Sequence, residues 1–298
     1  MPRSIDFQKL ALVLAEAADL GRPVKGILRR RCSRVVSQIE SDGSSKSLLR
    51  LWGLSINEDE IAGETIVHPA IIQAIGELAG EDCPGNDYTG EVVHAGLQHT
   101  YGYLFSTIET PFGFKRDRWI EPVIEDGLGI SEPTLRPHPT YGTLLANLTY
   151  LLGRIAFRGR PGELKLLRGV REHVSPAVLN LSRNRAPTMM RVEETIRLPG
   201  GRDVSLHTDF VPFDPPTEAA VALLIYWVRD GREKNAKLVT AFPVRRAFLD
   251  EFLDEASYGR RKQIRTRYNA FVTDLTGQER SGSRSRSFVG EENIWTEG

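Results

Sequence analysis

The 298-residue chain contains only two cysteines, Cys32 and Cys83. That is too few for a disulfide framework or a four-thiolate zinc site. It also lacks a surplus of either charge: 39 basic residues balance 39 acidic ones, so no net field gathers nucleic acid or an anionic surface. No stretch approaches the ~18 consecutive apolar residues of a membrane-spanning helix. The opening MPRSIDFQKLALVLAEAADLG has neither the unbroken apolar centre nor the small-residue cleavage site of a secretion signal. A soluble, cytoplasmic protein with no membrane association is the expectation. Glycine-rich dinucleotide and phosphate loops, the GxSxG elbow, the kinase signatures and HExxH are all missing, which argues against the enzymes built on them. Nothing in the pattern specifies a cofactor or an oligomeric state.

What is present is the composition of a globular protein, 40% hydrophobic and 26% charged, at a length that buries a sizeable core. Only 8 of the 39 basic residues are lysine, leaving 31 arginines. The planar guanidinium suits carboxylate and phosphate recognition, and a GC-rich coding sequence produces the same skew.

Periodicity divides the chain into four regions. In residues 1–88 the apolar spacing predicts a helix over 5–20, a second over 24–39 with Arg29, Arg30, Arg31 and Arg34 on its far side, and a third over 68–78 opening at Pro69. The turn cluster EDCPGNDYTG at 81–90 marks a boundary. Residues 89–160 are rich in glycine, aromatics and histidine; they read as a strand over 101–110, a second extended piece over 113–119 and a helix over 143–157. After Gly159-Arg160-Pro161-Gly162, residues 161–279 begin with a helical stretch over 163–181. Four strands follow at 189–198, 203–213, 222–229 and 237–244, pairing as two successive hairpins. A helix carrying Phe248 and Phe252 comes next, and residues 280–298 form a low-complexity tail expected to be mobile. The fold expected is therefore α+β: a helical N-terminal part and a C-terminal antiparallel sheet of about four strands with flanking helices.

Three places carry potential chemistry. His94, His99 and His138 lie among Glu91, Glu109, Asp117 and Glu121, and such a set could bind Zn²⁺ or Fe²⁺ or supply acid–base groups near neutral pH. The five-residue step from His94 to His99 aligns ligands on neither a helix nor a strand, which speaks against a metal. In TPFGFKRDRW, Lys115, Arg116 and Arg118 could clamp an anion beside Trp119 or Phe114; the plain alternative is a surface ion network around one buried tryptophan. The third place is the strand His207-x-Asp209, which with no later histidine cannot complete an iron-binding triad.

The segment over 165–275, a helix and then four antiparallel strands ending in KLVTAFPV, is similar to the catalytic domain of metal-independent ribonuclease toxins of the barnase, colicin and RelE type. That resemblance implies an acid–base role for His207, with Lys237, Thr240 and Arg245 holding a scissile phosphate. RNA is then a possible partner, and the basic segment Arg260–Arg267 before Tyr268 could follow its backbone.

Three functions remain in view. The favoured one is an enzyme using acid–base chemistry on a small anionic or polar substrate, with His94 or His99 working beside Lys115, Arg116 and Arg118. The others are the ribonuclease and a non-catalytic protein that binds a partner through the arginine face of the second helix.

Overall fold

The computed structural model describes residues 5–56, 60–61, 64–80, 92–110, 113–130, 142–184, 190–198, 202–217, 220–230, 234–250 and 271–272. The chain is α+β, with a four-stranded antiparallel sheet in the C-terminal part flanked by helices.

The N-terminal helices form because their apolar residues recur at helical spacing and their ends are capped. Helix α1 (Phe7–Asp19) starts where the Asp6 carboxylate accepts from the Lys9 amide, and it buries Phe7, Leu10, Ala11, Leu14 and Ala17. The single helix expected over 24–39 is two: α2 (Val24–Arg31) and α3 (Ser33–Ser44), broken at Cys32. Breaking there lets Leu28, Cys32, Val35, Val36 and Ile39 all face the core, and α3 runs on to Ser44, past the predicted end at 39. Helix α4 (Pro69–Ala79) begins with proline at its first turn, and the His68 ring accepts from the Ala70 amide. It crosses α3 closely, since a Cβ on Gly43 would sit 2.1 Å from the carbonyl oxygen of Ala79.

The aromatic run over 101–110 is not the strand its composition suggests. Helix α5 (Ala95–Thr100) leads into a 3₁₀ turn over Gly102–Phe105, and only Glu109–Thr110 is extended. Tyr101, Tyr103, Leu104 and Phe105 are all buried, so the segment has no polar face for period-two alternation to serve. In the following segment only Gly113–Phe114 is extended, and Asp117–Ile120 is helical. The long helix α6 (Leu144–Ala156) is buried on nearly every side. The stretch expected as one helix over 163–181 contains α7 (Pro161–Arg168), a 3₁₀ turn at Arg171–His173 and α8 (Pro176–Asn184).

Strand β1 (Leu54–Ile56) pairs with β2 (Val92–His94) on one side. The large sheet comprises β3 (Met190–Leu198), β4 (Arg202–Pro212), β5 (Ala222–Asp230) and β6 (Lys237–Val244), each antiparallel to its sequence neighbour. It is one continuous meander, closer than two separate hairpins. Strand β7 (Phe271–Val272) completes the small sheet on the other side of β1. The small sheet approaches β6 through Gly53 and Leu51, which exchange backbone hydrogen bonds of 2.8 and 2.7 Å with Leu238.

Strand β5 is apolar at successive positions because both sheet faces are covered. Leu223, Ile225 and Trp227 join Val211, Leu238 and Ala241 in the core shared with the helices, while Leu224, Tyr226 and Val228 join Phe210, Phe242, Phe248 and Leu249 in a second cluster on the outer face. The main core draws on residues from Phe7 to Ala241, so the N-terminal, central and C-terminal regions read from the sequence share one interior. The 81–90 boundary and the 280–298 tail lie outside the described residues. No helix among the described residues is long and apolar enough to cross a membrane.

Candidate functional site

The hairpin β3–β4 pairs Arg191 with Asp209 and Glu193 with His207; β5 then sets Trp227 beside His207. Asp209 and His207 share the sheet face that carries Val211, so both polar side chains point toward the helices and must find partners there. Asp209 is fully buried and completely engaged. Arg191 meets it with two prongs, Nε–Oδ1 at 2.6 Å and an Nη–Oδ2 bond at 2.9 Å, and the Trp227 indole N–H donates to Oδ2 at 3.0 Å. Arg191 also donates to the carbonyl of Ala156, the last residue of α6, at 3.0 Å. This contact ties the end of the covering helix to the sheet, and the hydrogen bonds to Asp209 hold the Arg191 guanidinium even more firmly charged than usual.

His207 is built differently. Its imidazole stacks on Trp227 with centroids 3.7 Å apart and planes 6° from parallel, and the residue is only 5% exposed. Neither ring nitrogen has a hydrogen-bond partner among the described residues. The Glu193 carboxylate stands 3.2 Å from Nδ1, without hydrogen-bond alignment, and is itself 61% exposed. Burial pushes the His207 pKa down from 6.5 to about 4; Glu193 opposes this, while Arg191 and Arg160 reinforce it. The ring is therefore neutral at physiological pH, and a neutral imidazole can accept a proton.

Arg160, just past the end of α6, lies over the Trp227 ring, 4.8 Å from its centroid, and Phe157 meets the same ring edge-on. Burial lowers its pKa; Glu163 acts against that, and the nearby cations Arg229 and Arg191 act with it. A neutral buried imidazole is thus ringed by arginines and one exposed carboxylate, at the rim where α6 ends.

The other sequence candidates have different surroundings. His94 is an N-cap: its Nδ1 accepts from the Leu97 amide, and its Nε2 lies 3.2 Å from the Leu49 carbonyl. Burial pushes its pKa to about 4. His99 is also buried, and its Nδ1–H donates to the Val239 carbonyl at 2.5 Å, joining α5 to β6. His138 lies outside the described residues. Among the described residues no group of three or more His, Cys, Asp or Glu side chains is placed to hold a metal ion.

The basic loop is folded into the protein. Lys115 donates to the Tyr103 hydroxyl at 3.0 Å. Arg116 donates to the Ser106 carbonyl at 2.8 Å and to Gln8 at 3.1 Å, with Phe114 under its guanidinium. Arg118 lies over the rings of Phe242 and Tyr103. Trp119 is buried, and its indole N–H donates to the His99 carbonyl at 3.1 Å. His99 and this loop are therefore neighbours, linked by backbone and ring contacts.

The residues grouped by the ribonuclease resemblance fall on different faces of the sheet. Lys237 is registered opposite Val228 and Thr240 opposite Tyr226, and the side chains of Val228 and Tyr226 belong to the outer cluster. His207 is registered opposite Trp227 on the inner face. Side-chain alternation across the pleat separates the set, so the sheet does not gather His207, Lys237 and Thr240 on one face. Arg245 is exposed beyond the end of β6.

A buried polar knot escaped the sequence reading. The Asp42 carboxylate of α3 accepts from the hydroxyls of Tyr101 and Thr143, both at 2.5 Å, and Gln38, one turn earlier, accepts from the Leu144 amide at 3.1 Å. These contacts satisfy the first turn of α6. The i, i+4 spacing of Gln38 and Asp42 was visible in the sequence, but the helix end it serves lies about a hundred residues away.

The chain matches no protein-family model, no curated protein and no solved structure.

Proposed function

We propose that the protein is an enzyme that uses acid–base chemistry on a small anionic substrate, with His207 as the proton-accepting group. One observation carries this reading: a buried imidazole, held neutral, whose ring nitrogens have no hydrogen-bond partner among the described residues, is placed among guanidiniums. A histidine kept only for packing leaves its desolvated nitrogens uncompensated, at a cost of about 1–3 kcal/mol. A substrate hydroxyl or amine bound at Nε2 would remove that cost and present the proton to be taken.

The surrounding groups have distinct tasks. Trp227 fixes the plane of the ring by stacking, and the Arg191–Asp209 pair anchors Trp227 through the indole N–H. Glu193 stands on the Nδ1 side, where its carboxylate favours the tautomer that leaves Nε2 as acceptor and then stabilises the imidazolium formed. Arg160 supplies positive charge for an anionic substrate.

The reading is tested by thermal denaturation of the full chain against a panel of small phosphorylated, sulfated and carboxylated compounds. At least one class should raise the midpoint in proportion to the logarithm of its concentration, and Arg160→Gln should remove the effect. If no anion stabilises the wild type above the chloride control, this function is wrong.

A further inference from the structure

Arg160, Arg191 and Arg229 surround the inner-face site, yet they are satisfied very unequally. Arg191 is spent on Asp209 and the Ala156 carbonyl. Arg160 has its ring contact with Trp227 and no hydrogen-bond acceptor among the described residues. Arg229, exposed on β5, has none among the described residues either, and it is close enough to Arg160 to work against that guanidinium's charge. Arg229 lies two residues beyond Trp227, hence on the same face, and is registered opposite Ser205, which in turn lies two residues before His207. The nearby carboxylates Glu163 and Glu193 both favour the charge on Arg160, while Glu163 also accepts from the Ala236 amide at 2.8 Å and Glu193 stands 3.2 Å from His207.

We infer that Arg160 and Arg229 form the receptor for a phosphate monoester group, with the Ser205 hydroxyl beside it and the rest of the substrate extending toward His207. The inference rests on the acid–base reading above and names the substrate class for that site. Two guanidinium forks with no hydrogen-bond acceptor among the described residues repel each other, and a ligand that bridges them reverses the sign of that interaction. A carboxylate presents two oxygens and is saturated by one fork. A phosphate monoester presents three terminal oxygens and close to two negative charges, which suits two forks and a hydroxyl. An extended phosphodiester chain is a poorer fit, because the buried histidine at the centre of the site is reached by a compact group more readily than by a continuous backbone.

The test titrates the full chain with inorganic phosphate, glycerol 3-phosphate, acetate, citrate and a short single-stranded RNA at matched ionic strength, following the unfolding midpoint. Wild type, Arg160→Gln, Arg229→Gln and Arg160→Gln/Arg229→Gln are compared. The expected result is stabilisation by both phosphate compounds, with binding weakened at least about tenfold in Arg229→Gln, as loss of a charge-assisted bond implies, and abolished in the double variant. Arg229 is exposed, so its variant reports on binding without risk to the fold. Stronger binding of glycerol 3-phosphate than of inorganic phosphate identifies an ester substrate; equal binding means that the free ion alone is recognised and overturns the substrate assignment. Stabilisation by acetate or citrate but not by phosphate, lost in the Arg160 variant, overturns this inference while leaving the acid–base reading in place. Stabilisation by RNA alone overturns it as well. No stabilisation by any anion removes both.

Discussion

The imidazole of His207 lies flat on the indole of Trp227, with centroids 3.7 Å apart and planes 6° from parallel. Burial, more than the neighbouring charges, sets the protonation behaviour of that ring. His207 and the capping residue His94 each have a pKa lowered from 6.5 to about 4. The unfolded chain therefore binds more protons than the folded one between those values. Both groups support folding fully above about pH 6.5, and that support is lost as the pH falls toward 4. Nitrogen-detected NMR should find both rings neutral at pH 5.5; a titration midpoint near 6.5 for either would contradict its described environment.

Asp42 works in the opposite direction. Burial raises its pKa from 3.8 to about 7, with the hydrogen bonds from Thr143 and Tyr101 only partly offsetting it. The folded state binds the extra proton here, so this contribution is fully present below about pH 4 and is lost as the pH rises through 7. The stability of Asp42→Asn relative to wild type should increase steadily over that interval and then level off. A difference independent of pH in denaturant melts would show that Asp42 is ionised throughout.

The Arg191–Asp209 pair anchors the site from beneath. Removing Arg191 leaves a fully buried carboxylate whose remaining side-chain donor among the described residues is the Trp227 N–H. Arg191→Ala should cost about 3–5 kcal/mol of stability, the usual penalty for orphaning a buried charge, and Arg191→Ala/Asp209→Asn should recover part of it. Equal losses in the single and double variants, measured by denaturant unfolding, would mean that the charge of Asp209 is not what the arginine serves.

Close helix packing makes a separate demand at Gly43. A Cβ there would meet the Ala79 oxygen at 2.1 Å, and its neighbours are backbone atoms that cannot rotate away. Gly43→Ala should destabilise by about 1–3 kcal/mol or more through overpacking. A variant as stable as wild type would show that α3 and α4 can separate freely.

Much of the sheet was readable in the sequence because its physics is local. The alternation in MMRVEETIRL and DVSLHTDFVPF, with Pro199-Gly200-Gly201 between them, announces a hairpin, and β3 and β4 match those spans to within about two residues. Folding that hairpin about Gly200 pairs Glu193 with His207 and Arg191 with Asp209, so the partners of His207 were within reach of the turn position alone. Two features hid the rest. The choice of Trp227 as stacking partner depends on the register of β5, and Arg160 arrives from a different layer altogether. The aromatic segment after His99 misled for another reason: total burial removes the polar alternation by which strands and helices are distinguished, leaving composition to suggest a strand where the chain makes a 3₁₀ turn. The capping role of His94 was equally hidden, since the Leu49 carbonyl it approaches lies 45 residues earlier.

The most direct measurement for the proposed activity is turnover by His207→Gln of whichever small anion stabilises the wild type, followed by NMR of the reaction mixture. Glutamine keeps a planar polar group over Trp227 but cannot take up a proton. The account predicts that the variant still binds the compound, with its unfolding midpoint rising as in wild type, while product formation falls by about 10²-fold or more. Unchanged turnover in a folded variant would contradict it and remove His207 from the chemistry.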